Sequence, residues 1–323
     1  MTDFTEPVIR VDVEGLHVIS EELAAKLAKK NLSPSMITSL AQCPAKWLGE
    51  SLVVRDLIEE EPDNAARRGT MFHKVMEIFF ACAPEERTVP KIKEVVAEVL
   101  ASDDYKDLAD IPEAVKWLRD AVNGYYTMGA KPEKVSIASI KDGKTGADKI
   151  GLEVFVKGRI GDTKREILGF IDRLVEDPRE EGAVVVEDWK TGAKSKRWNP
   201  ASKGDDGRAE ARQQVIYAKL LEAQGVKVTG ARLIFPMVPD IVNVDLNDEE
   251  FAESVVADVE EADAKLDVFI ELNTFEYNPS FLCAWCSLAK ICPSAQIKPY
   301  AKMREAYAKQ PSIDVLAKGF DFQ

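Results

Sequence analysis

The sequence predicts a mixed α/β protein, and three observations carry that expectation. Helical periodicity dominates residues 32 to 128. Val- and Ile-rich runs broken by Gly, Asp and Pro follow between 149 and 190. A helical stretch near 208 to 225 then separates these from two more apolar runs. Helices, a small sheet, a helix, more sheet and a closing helix amount to an α/β core with an N-terminal helical layer.

Taken in order, residues 1 to 31 alternate through "VIRVDVEGLHVI", a short strand or arm, and continue into a helical "SEELAAKLAKK". In "NLSPSMITSLAQCPAKW", Ser33 or Ser35 can cap a helix that Pro34 begins, and Cys43 comes one turn after Leu40. Residues 65 to 82, "AARRGTMFHKVMEIFFAC", form a helix with an apolar face, and two more helices follow near 90–101 and 111–128. "KIGLEVFVKGRIGD" reads as strand. "REILGFIDRLVEDPREEG" and "AVVVEDWKTG" read as a hairpin turning at "EDPREEG". "RAEARQQVIYAKLLEAQG" is a helix ended by Gly225, "VTGARLIFPMV" and "IVNVDL" are strands, and 248–270 is an acidic helix.

A chain of 323 residues, 46% hydrophobic and 31% charged, has the composition of an ordinary globular protein of one large domain or two modest ones. The acidic N-terminus and the lack of a long apolar run predict a cytoplasmic protein, in which clustered cysteines suggest metal rather than disulfides. The net charge of −13 argues mildly against nucleic acid, but a local basic strip can serve on an acidic body. "WKTGAKSKRW", with Lys190, Lys194, Lys196 and Arg197, is such a strip, or equally a solvated loop.

Asp172 lies in an apolar strand, and Glu187, Asp188 and Lys190 close the next one. A buried carboxylate needs compensation, and Asp188 and Lys190 share strand parity, so their side chains leave the same face while Glu187 leaves the other. The hairpin brings Asp172 towards Asp188. Two carboxylates and an ammonium at one strand end suit a magnesium or manganese site acting on a phosphate ester. His73, on an apolar helix, completes one imidazole and two carboxylates, or is simply a core histidine. Asp172 and Arg173 equally suit a surface ion pair. Gln213 and Tyr217 lie one turn apart on one helix face.

Taken together, "RGTMFH", "GFIDRL", "EDWKTG" and "QQVIY" resemble, in that order, the G-x3-H, G-x2-D-R, (D/E)-x-K and Q-x3-Y motifs of the RecB-like branch of the PD-(D/E)xK nuclease superfamily. The resemblance implies a restriction-endonuclease-like mixed sheet. It implies His73, Asp172, Asp188 and the Trp189 carbonyl as ligands of Mg²⁺ or Mn²⁺, with Lys190 acting on the attacking water or the phosphoryl charge, Gln213 and Tyr217 positioning, and Arg173 contacting phosphate or pairing with an acid. "LSPSMITSLAQCPAKW" and the C-x2-C-x5-C run of Cys283, Cys286 and Cys292 are similar to the opening and closing cysteine segments of iron–sulphur members, the small CRISPR-adaptation-type exonucleases and AddB-like nuclease domains. Four thiolates alone suit zinc more commonly; the resemblance implies a [4Fe–4S] cluster on Cys43, Cys283, Cys286 and Cys292 that staples the chain's end to the N-terminal helices. Cys82 has no place in the pattern and is expected to be a buried thiol.

The expected organisation is an arm (1–31), a nuclease domain (32–295) with a helical subdomain (32–135), a catalytic core (150–247) and a cluster segment (275–295), and a tail (296–323). The function so implied is a metal-dependent exonuclease acting at the ends of single-stranded DNA. A factor that binds DNA ends for a recombinase or integrase is the alternative, and a homo-oligomer is open in either case.

Overall fold

The computed structural model describes residues 6–58, 61–141, 145–192, 207–296 and 310–322. The chain divides into two compact units, Met1–Glu60 with Gly161–Arg165 and Ala257–Gln323, and Glu61–Ile160 with Glu166–Val256.

In the first unit, strands β1 (Ile9–Val11) and β2 (Gly15–Val18) form an antiparallel hairpin. Strand Thr274–Glu276 pairs antiparallel with β2, and Phe320–Asp321 pairs parallel with β1. The arm expected at the N-terminus is therefore the middle of a four-stranded sheet whose outer strands come from the far end of the chain. Of the two candidate caps, Ser33 is the one that closes helix Pro34–Gln42, accepting the Met36 N–H, and Pro34 opens its first turn as expected. Cys43 ends that helix and caps the next, Pro44–Gly49.

The second unit holds a two-stranded pair, β3 (Ser139–Lys141) and β4 (Asp148–Ile150), and a five-stranded sheet. The sheet runs β5 (Leu152–Gly158), β6 (Ile167–Glu176), β7 (Ala183–Trp189), β8 (Lys227–Phe235) and β9 (Asp240–Val244), in that spatial order. All neighbours are antiparallel except β7 and β8, whose parallel pairing needs a crossover, and helix Arg208–Glu222 supplies it. Every residue of β7 is buried, the expected state of a central strand covered on both faces.

Helix Ala65–Ala81 buries Met71, Phe72, Val75, Met76, Phe79 and Phe80. These join a core with helices Val89–Ala101 and Pro112–Thr127 and with Leu152, Trp189 and Ile234 of the sheet. Gly124 permits the closest approach, since a Cβ there would stand 1.8 Å from the Pro236 carbonyl oxygen. Mixed sheet and helical layer thus match the restriction-endonuclease-like class.

Candidate active site

Six side chains that the sequence singles out converge in the second unit. The β6–β7 register pairs Arg173 with Glu187, so the next rung sets Asp172 beside Asp188. Asp172 Oδ2 accepts the Trp189 N–H at 2.7 Å, and its Oδ1 stands 3.3 Å from His73 Nδ1. His73 reaches over from its helix, where Phe72, the preceding residue, is anchored edge-on against Trp189. The other ring nitrogen, Nε2, lies 3.2 Å from the Trp189 carbonyl oxygen.

Strand parity places Lys190 as expected: its Nζ is 2.8 Å from Asp188 Oδ2 and donates to Gln213 Oε1 at 2.8 Å. Gln213 Nε2 in turn donates to Tyr217 Oη at 3.0 Å. The Tyr217 hydroxyl also accepts the Phe170 N–H, so helix Arg208–Glu222 is tied to β6 beside the acids. Gly169 must lack a side chain because a Cβ would meet the Tyr217 ring at 2.4 Å. The G-x2-D-R and Q-x3-Y segments thus fit into one another.

Glu153 is the participant the sequence reading missed. Its carboxylate, His73 and Asp172 offer three ligand atoms all within 4.8 Å of one another, enough to hold a metal ion. The β5–β6 register, Leu152 opposite Arg173 and Val154 opposite Ile171, brackets Glu153 against Asp172. Three carboxylates therefore lie at one level across β5, β6 and β7. Glu153 has φ +46°, a left-handed backbone that a non-glycine residue adopts only when its surroundings impose it. Lys149 Nζ donates to the Glu153 carbonyl oxygen there.

Crowded acids shift one another's protonation. Burial pushes Asp188 up to about 6; Lys190 opposes this and Asp172 adds to it. Burial, with the Asp172 charge, raises Glu153 to about 7. Burial alone would lower His73, but the hydrogen bond and charge of Asp172 prevail and raise it to about 9. Burial likewise works to strip Lys190 of its proton, and Asp188 outweighs it, so the ammonium persists.

On the opposite face, Arg173 and Glu187 are each 3% exposed and pair with each other, Nε and Nη2 lying 2.7 and 2.6 Å from Glu187 Oε2. The guanidinium lies 4.0 Å from the Phe80 ring centroid and 4.5 Å from that of Trp189. Arg173 is therefore an internal partner of an acid, not a phosphate contact and not a surface partner of Asp172. Of the basic strip, Lys194, Lys196 and Arg197 lie outside the described residues.

In the first unit, Cys43, Cys283, Cys286 and Cys292 line one cavity. None of the five cysteines is in a disulfide, and Cys82, expected to be buried, is only half-buried. Each of the four clustered sulphurs meets backbone N–H groups: Cys43 those of Lys46 and Asn278, Cys283 that of Ser280, Cys286 that of Leu288, and Cys292 those of Ser294 and Ala295. Burial pushes the Cys292 thiol up to about 11 and Cys286 higher still, so thiolates there require a cation to offset them. The donor set fits a metal or an iron–sulphur group.

A family model described as the PD-(D/E)XK nuclease superfamily matches residues 31–293. No curated protein matches the chain. Among solved structures it is similar to one described as "Crystal structure of SSO0001", at 14% identity and a TM-score of 0.32, over 71% of this chain and 95% of that one. Among the described residues, no helix is long and apolar enough to cross a membrane.

Proposed function

The chain belongs to the PD-(D/E)XK nuclease superfamily, and from that premise we propose that it is a divalent-metal-dependent exonuclease acting at ends of single-stranded DNA. The observation that carries the reading is the row of Glu153, Asp172 and Asp188 across three strands, with His73 on one side and Lys190 on the other. His73, Asp172 and Asp188, joined by Glu153 and the Trp189 carbonyl, would hold Mg²⁺ or Mn²⁺. Oxygen donors with one imidazole suit either ion. When bound, the cation supplies Lewis-acid polarisation of a phosphodiester.

The remaining chemistry belongs to the chain. Lys190 keeps its proton beside Asp188, so it acts as a fixed positive charge and hydrogen-bond donor toward a phosphoryl oxygen or attacking water, not as a base. Gln213 and Tyr217 hold that ammonium in place. Trp189 sets His73 with its carbonyl and Asp172 with its N–H, which fixes two ligands against one rigid strand end.

The exonuclease and single-strand terms rest on the likeness of the four motifs and the cysteine set to small iron–sulphur exonucleases. On the same ground, Cys43, Cys283, Cys286 and Cys292 are proposed to hold a structural [4Fe–4S] cluster. The test is digestion of single- and double-stranded DNA, labelled at either the 5′ or the 3′ end, with Mg²⁺ or Mn²⁺. Mononucleotides released progressively from single-strand ends support the proposal. Internal cutting alone, or end binding without cleavage, overturns it; the latter favours an assembly factor.

A further inference from the structure

The outward face of the β5–β6 ribbon carries more than acids. Along it, the rung after Glu153 and Asp172 is Phe155 opposite Phe170, and the next is Lys157 opposite Leu168. The two phenyl rings meet at 5.3 Å, tilted by 57°, and Phe170 is 57% exposed. The other face of the ribbon is covered, with Gly158 close to Leu220 and Gly169 against Tyr217. By alternation along β6, Phe170 faces the same side as Asp172, two residues along the strand and roughly 7 Å away at the rise of an extended chain, with Phe155 opposite it. The Phe170 backbone is tied through Tyr217 and Gln213 to Lys190, so the rings stand in a fixed relation to the acidic site. Lys157 follows, with its ammonium 3.5 Å from Glu166.

We infer that Phe155 and Phe170 form a stacking platform for an unpaired base of the nucleotide whose phosphate enters the acidic site, and so select single-stranded over duplex DNA. The inference rests on the nuclease reading. A paired base presents no free face, whereas any unpaired base can lie on an aromatic ring whatever its sequence. The alternating strand would normally place polar residues at such outward positions; a phenylalanine more than half exposed beside a charged site calls for a partner, and a base is the partner that the neighbouring phosphate chemistry brings. A cross-strand aromatic pair also steadies a ribbon, so the decisive variant must keep the apolar packing.

The test measures binding of a fluorescent single-stranded oligonucleotide and of its duplex by anisotropy, in Ca²⁺, for wild type, Phe170→Leu, Phe170→Trp and Phe155→Leu. Phe170→Leu is expected to weaken single-strand binding by about tenfold, to change duplex binding little, and to be rescued by Phe170→Trp. Unchanged single-strand affinity in Phe170→Leu, or equal losses on single strand and duplex, overturns the platform. If wild type cleaves DNA while either result is found, the nuclease reading stands without the platform. If wild type neither binds nor cleaves any DNA, that reading falls and takes the platform with it.

Discussion

Asp172 and Trp189 are joined by a hydrogen bond of 2.7 Å from the Trp189 N–H to Asp172 Oδ2, while the Trp189 carbonyl faces His73 Nε2 at 3.2 Å. One peptide segment thus orients an acid and an imidazole that sequence alone places 99 positions apart. Asp172→Asn keeps an acceptor for that N–H, and Asp172→Ala does not. Both should lose cleavage. In the metal-free protein, Asp172→Ala should also be less stable than Asp172→Asn by about 1–3 kcal/mol, the usual penalty for a buried unpaired donor. Urea unfolding of the two variants checks it; equal midpoints and slopes would remove the structural part of the bond's role.

The acidic row predicts the sign of the pH dependence. His73, Glu153 and Asp188 all stand above their ordinary values, at about 9, 7 and 6. For groups raised in this way the native state binds more protons than the unfolded chain. Their contribution is fully present at low pH and is lost as pH rises through those values. Without metal, stability from this site should fall from about pH 4 to about pH 9, and Mn²⁺ should raise Tm more at about pH 8.5 than at about pH 6 because it competes with those protons. Glu153→Gln should flatten the metal-free slope. Thermal melts showing a larger Mn²⁺ shift at the lower pH would contradict the assignment of these ligands.

Arg173 and Glu187 are buried together behind the site, with Arg232 Nη1 3.3 Å from the other Glu187 oxygen. Removing Glu187 strips the buried guanidinium of its carboxylate, and removing Arg173 leaves the buried Glu187 with Arg232 alone. Glu187→Ala or Arg173→Ala should therefore destabilise the fold by roughly 3–5 kcal/mol. Chemical denaturation reads this directly, and a loss below about 1 kcal/mol would place the pair at the surface in effect.

What could be read from the sequence is what depends on local periodicity. The parity of Asp188 and Lys190, the Ser33 cap and the opposite facing of Glu187 follow from a few neighbouring residues, and the structure has all three. Glu153 carries no signal of its own, because an acid at an outward position of "LEVFVKG" is what an alternating strand normally shows. Its meaning comes from the Leu152–Arg173 register and a positive φ, neither of which leaves a local trace. The sheet of the first unit is hidden for the same reason, since His17 pairs with Thr274 and Ile9 with Phe320, across most of the chain. Cys82 ends up half-buried because it caps the end of its helix instead of lying on the apolar face.

The proposed [4Fe–4S] cluster predicts a coloured protein. Purified without air, it should be brown with about four irons per chain. Linking Cys43 to residues 283–292 closes a very long loop, a constraint worth at most roughly 5 kcal/mol by the relation used for disulfides. Cys43→Ala and Cys286→Ala should be colourless and protease-sensitive, and Cys82→Ala should stay brown and folded. Metal analysis showing stoichiometric zinc in colourless native protein would replace the cluster with zinc and leave the acidic site untouched.

The central claim is that the row of carboxylates beside Lys190 cleaves DNA, and Asp188→Ala tests it most directly. Asp188 bears on one face of a central strand and contacts Lys190 at 2.8 Å, so its loss should empty the site of a ligand and free the ammonium without opening the core. Wild type and variant would be incubated with end-labelled single-stranded DNA and Mn²⁺, after circular dichroism has established that both are folded. The account predicts degradation by wild type and a loss of at least about a thousandfold, on the order of 4 kcal/mol of transition-state stabilisation, in Asp188→Ala. A folded Asp188→Ala that degrades the same DNA at the wild-type rate would contradict it.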